Sequence, residues 1–305
     1  MPLLLDGNRT RDEILGECRP RIDAFRALYH RAPGLSVILA GNNSASEVYV
    51  RNKTKTAQTL GIHGETILQS ASVTTRELLA LIHRLNADIN VDGILVQLPL
   101  PAHIDTQMVL LAVAPEKDVD GFHPLNVGLL STGRPCLRPC TPSGIIELLK
   151  RNQISVAGRH AVVVGRSDIV GKPMALLLLH QNATITICHS HTRDLAAITQ
   201  TADILVAAIG RTAFITAEHI RPGTVVIDVG MNTVTDRAEA ERIFTPERLA
   251  VFYRRGSLLT GDVHPGDMAR LASAYTPVPG GVGPLTIALL MRNTIDAAEC
   301  RMANQ

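Results

Sequence analysis

Four short apolar runs, Ala161–Val164, Thr184–Cys188, Ile204–Ala208 and Val225–Val229, recur through the second half of this chain with helix-like segments between them. That alternation restricts the fold more than any other feature. Continuous β-branched runs of this length suit strands covered on both faces, and helical crossovers make such strands parallel. The spacing predicts a doubly wound α/β domain of the dinucleotide-binding kind, Rossmann-like in character. The first half follows a looser version of the same rule. Leu35–Ala40 reads as a strand ending at Gly41-Asn42-Asn43, and Ser44 with Glu47 reads as a capping box opening a helix to about Leu60. A second strand is expected near Thr66–Leu68, followed by a helix capped by Thr74 and Glu77. A third strand over Gly93–Leu98 is stopped by Pro99 and Pro101.

The stretch Ala114–Pro142 is rich in Pro and Gly and marks a domain boundary. The expected division is 1–139 for an N-terminal α/β domain and 140–283 for the nucleotide-type domain. A last helix, from about Pro284, has proline in its first turn, where a missing N–H costs least. Its residues Leu285, Ile287, Ala288, Leu289, Leu290 and Met291 exceed one amphipathic face, so it is expected to meet more than one layer. The segment 284–305 is accordingly assigned back to the first domain.

Charge and composition exclude several classes. A net charge of +2 gives no basic face for nucleic acid. No apolar run is long enough to cross a bilayer, and Leu3-Leu4-Leu5 is too short for a signal peptide, so a cytoplasmic protein is expected. Cys18, Cys136, Cys140, Cys188 and Cys300 are odd in number and contain no CxxC pair, which reads as ordinary reduced thiols. His189 and His191 alternate near a strand end, but two ligands do not make a site and no metal is predicted.

The loop Val164-Gly165-Arg166-Ser167-Asp168-Ile169-Val170-Gly171-Lys172-Pro173 joins a strand to a helix and can bring amides and the positive helix end to a phosphate. Ser167 stands where a GxGxxG pattern has its second glycine, and a plain tight turn also needs such glycines. At the end of the next strand an NAD site wants a carboxylate. Cys188-His189-Ser190-His191-Thr192-Arg193 has none before Asp194, whereas Ser190, Arg166 and Arg193 suit the 2′-phosphate of NADP. Solvated surface residues would read the same way. In the first domain Tyr49 and Lys53 are four apart and share a helix face. A Tyr-x-x-x-Lys pair also occurs in short-chain dehydrogenases, but there it follows the nucleotide loop, and here it precedes it. Gln97 puts an amide at the end of an apolar strand, as a site residue or a satisfied edge residue. Asp118 and Asp120 lie in Lys117-Asp118-Val119-Asp120-Gly121-Phe122, where turn chemistry explains either acid equally well.

Taken in order, Tyr49-Val50-x-x-Lys53, Val96-Gln97-Leu98-Pro99-Leu100-Pro101, Lys117–Phe122, Pro139-Cys140-Thr141-Pro142, the Gly165–Pro173 loop and Pro277-Val278-Pro279-Gly280-Gly281-Val282-Gly283-Pro284 make a specific set. Over nearly its whole length the chain resembles the bifunctional methylenetetrahydrofolate dehydrogenase/methenyltetrahydrofolate cyclohydrolase family. The resemblance implies NADP-dependent oxidation of 5,10-methylenetetrahydrofolate, then hydrolysis of the methenyl product to 10-formyltetrahydrofolate. It implies Lys53 as catalytic base, Gln97 orienting it, Tyr49 stacking on or positioning folate, and Asp120 binding the polar edge of the pterin. Folate would lie in the cleft between the domains, with Leu98, Pro277, Pro279, Gly280 and Gly281 as further contacts. Cofactor contacts fall on Gly165, Arg166, Ser167, Val170, Ser190 and Met231, and a homodimer is implied. A monofunctional dehydrogenase and a non-catalytic nucleotide-binding protein are the alternatives. One departure is noted: Asp236–Gly256, charged and helical in pattern, lengthens a connection that the family usually keeps shorter.

Overall fold

A computed structural model describes residues 1–303, apart from the side chains of Ser44 and Ala45. Its strands are β1 (Leu3–Leu4), β2 (Gly34–Ala40), β3 (His63–Gln69), β4 (Gly93–Val96), β5 (His160–Val164) and β6 (Thr184–Cys188). They continue as β7 (Ile204–Ala207), β8 (Val225–Asp228), β9 (Asn232–Val234), β10 (Leu258–Thr260) and β11 (Ala274–Tyr275). The chain divides into two compact units. One is Met1–Thr10 with Thr141–Thr286, and the other is Arg11–Cys140 with the segment from Ile287 onward. This corrects the expected division at its start, because residues 1–10 belong with the nucleotide-type unit. The reason is β1, a two-residue strand that pairs in parallel with β11 through Leu3↔Ala274 and Leu4↔Tyr275.

The unit built on Arg11–Cys140 holds a parallel sheet ordered β3-β2-β4. Every residue of β2 is buried, and alternate residues face opposite cores. Leu35, Val37 and Leu39 pack with Ile14 and Ile22 of the helix Gly7–Tyr29. Ile38 and Ala40 pack with Leu78, Ile82 and Leu85 of the helix Thr75–Ala87, whose Thr74–Glu77 capping box forms in both directions. The next cap differs from expectation. The helix Ser44–Leu60 is capped by Asn43, whose Oδ1 accepts from the Ser46 amide at 3.0 Å, one residue before the expected Ser44.

The terminal helix begins at Val282, two residues before its expected start, and runs to Ala303; residues 304–305 lie outside the described chain. Ala288, Leu289, Leu290, Met291, Ile295 and Ala297 join the same core as Leu35 and Val37, so this helix does return to the first unit. A buried carboxylate ties it down. Asp92 is fully enclosed and accepts from Arg31 at 2.6 and 2.9 Å, Arg301 at 2.7 Å and the Gly34 amide at 2.8 Å.

Among the described residues of the other unit, a six-stranded sheet runs β1-β11-β8-β7-β5-β6, parallel throughout. Counted from β5, the strand order is 2-1-3-4-5, a doubly wound pattern whose direction reverses between β5 and β7. The segment Asp236–Gly256 forms two helices, Arg237–Ile243 and Pro246–Arg255, closed off by the antiparallel pair β9–β10. Ala240, Ile243, Phe244 and Phe252 give it a small core of its own with Val234 and Ala213. No helix among the described residues is long and apolar enough to cross a membrane.

Candidate active site

Lys53 is a charged side chain that is only 6% exposed. It projects from the helix Ser44–Leu60 toward the end of β4, where its Nζ donates to Gln97 Oε1 at 3.0 Å. The amide cannot turn around without loss, because Gln97 Nε2 donates to the Leu98 carbonyl at 2.7 Å. The sequence places Gln97 there for a simple reason. The sheet bond from the Gln97 amide to the Ile38 carbonyl continues one residue past β4, and the chain then turns at the cis Leu98–Pro99 bond. The strand therefore ends two residues before its expected limit. Tyr49, one helical turn before Lys53, is half-buried, and that burial raises its phenol above the usual range.

The two acids of Lys117–Phe122 separate cleanly. Asp118 is buried and accepts from the His123 amide at 2.8 Å and Asn126 Nδ2 at 2.9 Å, so turn chemistry accounts for it. Its neighbour Lys117 is 2% exposed and caps the helix Thr75–Ala87 through three carbonyls, Leu85, Asn86 and Asp88, at 2.7–2.9 Å. Burial lowers its ammonium to about 8. Asp120 is the other acid. Burial pushes its carboxyl up to about 6; the charge of Lys53 opposes the rise and Asp118 adds to it. The Cys140 thiol stands beside this carboxylate and favours its ionised form. An ordinary thiol was expected at Cys140, and its contact with Asp120 was missed. Nothing in a lone cysteine within Pro139-Cys140-Thr141-Pro142 announces that contact.

In the other unit, Gly165 ends β5 at a φ of 132°. A Cβ there would meet the Ala208 carbonyl at 2.2 Å, so glycine is needed where the two loops of the switch point touch. Ser167 takes over the work of the missing second glycine. Its Oγ accepts from the Val170 and Gly171 amides, both at 3.2 Å, and its carbonyl accepts from Lys172 at 3.0 Å. Pro173 has no N–H, so the first turn of the helix Gly171–His180 has no amide left for an anion. The donors open to an anion therefore lie in the loop that leads into the helix. Within residues 165–173, the amides of Arg166, Ser167, Asp168 and Ile169 have no partner in the fold. Arg166, Ser190 and Arg193 are exposed at the ends of β5 and β6, a donor set that fits a phosphate.

Two acids that the sequence reading passed over organise the remaining loops. Asp262 is fully buried and accepts the amides of Ile209 at 2.6 Å, Gly210 at 3.0 Å and Arg211 at 2.9 Å, with Asn232 Nδ2 at 2.9 Å. Asp228, at the end of β8, accepts the amides of Gly230 and Asp262 at 2.9 Å and Val263 at 3.0 Å. Burial raises its carboxyl to about 7, against those amides. A Cβ at Gly261 would lie 1.7 Å from Asp228 Oδ2. Met231 follows this turn, and its methyl group borders Gly283. Pro277, Pro279, Gly280 and Gly281 also lie in this unit, where the Gly280 carbonyl accepts from the Gly7 amide at 2.9 Å. The candidate residues thus form two sets. Tyr49, Lys53, Gln97, Leu98 and Asp120 share one unit, and the glycine loop, Ser190, Met231 and Pro277–Gly281 share the other.

Residues 5–120 match the catalytic domain of tetrahydrofolate dehydrogenase/cyclohydrolase, and residues 139–302 match its NAD(P)-binding domain. The chain belongs to the tetrahydrofolate dehydrogenase/cyclohydrolase family. It is 61% identical over 303 residues to the bifunctional protein FolD of Solibacter usitatus, covering 99% of both chains. Against these relatives of equal length, Asp236–Gly256 is not extra chain. The crystal structure of the bifunctional FolD enzyme of Campylobacter jejuni is similar at 39% identity and a TM-score of 0.89, covering 99% of this chain and 100% of that one. The dehydrogenase–cyclohydrolase of Trypanosoma brucei, solved with NADP and an inhibitor, is similar at 37% identity and a TM-score of 0.89 (99% and 98% covered). In this chain a buried lysine held by a fixed amide stands in the same unit as the Asp120 carboxylate.

Proposed function

We propose that this family member oxidises 5,10-methylenetetrahydrofolate to the 5,10-methenyl cation with NADP and hydrolyses that cation to 10-formyltetrahydrofolate. The observation that carries the reading is the buried Lys53 held by Gln97 in the same unit as Asp120. NADP, when bound, supplies the acceptor for hydride from the bridging carbon, and the two flanking nitrogens share the resulting charge. Arg166, Ser190 and Arg193 would hold its 2′-phosphate, and the amides of residues 166–169 its pyrophosphate, with Val170 and Met231 lining the remainder.

The oxidation demands alignment rather than proton transfer. Asp120 accepts hydrogen bonds from the N–H edge of the pterin, Tyr49 supports its ring, and Leu98, Pro277, Pro279, Gly280 and Gly281 line the substrate. Hydrolysis is different. Water must lose a proton as its oxygen bonds to the cationic carbon; one carbon–nitrogen bond then breaks as the hydroxyl gives up its proton and the departing nitrogen gains one, which leaves the formyl group on the other nitrogen. Lys53 takes that proton while Gln97 Oε1 holds one of its N–H groups, leaving the amine lone pair directed elsewhere. A cationic substrate favours the neutral lysine this requires. A cytoplasmic setting suits five free thiols, and a homodimer is carried by the resemblance alone. Mixing the protein with methylenetetrahydrofolate and NADP tests the whole reading. Methenyl absorbance should rise and then decay; a rise without enzyme-dependent decay leaves a dehydrogenase alone, and no rise overturns the reading.

A further inference from the structure

The strand of chain that carries Asp120 is tied from beneath by groups the proposed chemistry does not use. Asn293 is buried in the apolar middle of the helix Val282–Ala303. Its Nδ2 donates to the Val119 carbonyl at 2.7 Å and the Arg138 carbonyl at 2.8 Å, and lies 3.5 Å from the Cys140 sulfur. The Cys140 thiol reaches the same Val119 carbonyl at 3.4 Å and also the Asp120 carboxylate. One carboxamide therefore gathers the peptide group just before Asp120, the segment leading into Cys140, and the thiol beside the acid. All these residues lie in one compact unit. A buried amide costs desolvation unless its hydrogens find acceptors. Here the acceptors lie in the two segments around Asp120, and none is in the amide's own helix.

We propose that Asn293 is a positioning residue for folate binding, which acts through the Val119 carbonyl and Cys140 to fix the direction of the Asp120 carboxylate. This rests on reading Asp120 as the acid that holds the pterin edge. The Lys117–Phe122 loop then does not set that acid alone, because the terminal helix sets it too. The link has an electrostatic consequence. Burial keeps the Cys140 thiol protonated, well above the usual thiol range, so it sets a neutral S–H dipole and no second negative charge beside the carboxylate. Lys53 from the helix Ser44–Leu60 favours the same ionised form, and Asp118 from the same turn opposes it. Removing the thiol takes away one of the two groups that favour ionisation.

Steady-state oxidation of methylenetetrahydrofolate across the acidic limb of the pH profile tests this with five variants. Cys140→Ala should raise the folate KM and move the limb of kcat/KM up by about half a pH unit, with the NADP KM unchanged. Cys140→Ser keeps a donor and should restore the parent limb. Asn293→Ala and Asn293→Ser should raise the folate KM about tenfold, again leaving NADP alone. If neither Asn293 variant folds by circular dichroism, the Cys140 pair decides the matter. Parental folate KM and limb in Cys140→Ala, or parental folate KM in a folded Asn293 variant, overturn the proposal. Asp120→Asn separates the two levels. Should it keep the parental folate KM and limb, Asp120 is not the binding acid and both readings fall. Should it lose them while the Cys140 and Asn293 variants do not, the positioning role alone is wrong.

Discussion

Asp228 and Asp262 in one unit and Asp120 in the other are surrounded in opposite ways. In the nucleotide-type unit, Asp262 is saturated by three backbone amides and one side-chain amide, and Asp228 by three amides. In the other unit, Asp120 is ringed by a lysine, another acid and a thiol, and is only half-buried. The first arrangement fixes loops. The second leaves lone pairs for something that is not protein. The difference teaches how to sort polar groups in a fold of this kind: an acid whose oxygens are filled by amides builds, and an acid with oxygens to spare binds or reacts. Asp118 and Asp120 make the same contrast two residues apart.

Variants can sharpen or break that contrast. The largest effect is expected at Lys53, the reactive counterpart to the saturated groups. Lys53→Ala should lower cyclohydrolase turnover by about a hundredfold or more while dehydrogenase activity stays measurable. Lys53→Arg should follow it, since arginine stays charged. Parent-rate hydrolysis of methenyltetrahydrofolate by both variants would remove Lys53 from the base role. At Asp262 the effect should appear in folding instead. Asp262→Ala takes the acceptor from four part-buried donors, and urea denaturation should show a loss of about 3–5 kcal/mol. A loss under about 1 kcal/mol would break the contrast, because a saturated acid would then not be a builder.

Smaller and more selective is Arg166, an exposed donor in the unit of saturated acids. Arg166→Ala should weaken NADP by about ten- to a hundredfold, the value of a charged hydrogen bond of about 1.5–3 kcal/mol, and leave NAD nearly unchanged. Equal losses in the two titrations would make it a loop residue. The smallest effect is the pH dependence of stability. Asp120 binds its proton more tightly folded, at about 6, than in an unfolded chain near 3.9. Its contribution is therefore fully present below about pH 4 and is lost as pH rises through about 6. Asp120→Asn should flatten that slope between the two values in thermal melts. An unchanged slope there would assign it to another group, with Asp228 at about 7 the next candidate.

Much of this was legible in the sequence, for definite reasons. Strands β5, β7 and β8 are buried on both faces and so appear as continuous apolar runs, while β6 is a largely exposed edge strand. Gln97 was legible as an amide ending an apolar strand, and Tyr49 and Lys53 as a pair sharing one helix face whose role only the family resemblance implied. Strands β1 and β11 were not, because two residues carry no period. Ser44 was expected as a cap because serine with Glu47 three residues later is the stronger pattern, yet the Asn43 side chain reached the helix first. Asp228 and Asp262 stayed hidden because amides answer them, and amides have no letter in a sequence. Gly230 and Gly261 were their faint trace, since each leaves room for an acid. Asn293 had a clearer one, a carboxamide amid Ala288, Leu289, Leu290, Met291 and Ile295.

The order in which the chain contributes to its two units has a consequence for synthesis. The core around β2 draws on Ala288–Met291 and Ile295, and enclosed Asp92 draws one of its two guanidinium partners from Arg301. A ribosome that has finished residues 11–140 has therefore made a sheet with one of its faces only partly covered. Residues 141–286 are decoded before the covering helix exists, and their sheet already has β1 from residues 3–4. The unit built on residues 141–286 should acquire its native core first, and the unit begun at residue 11 should wait for the codons of residues 288–301. That inverts the usual amino-terminal-first order of vectorial folding. A stalled nascent chain ending near residue 286 should accordingly resist protease in its second half while its first half is cut.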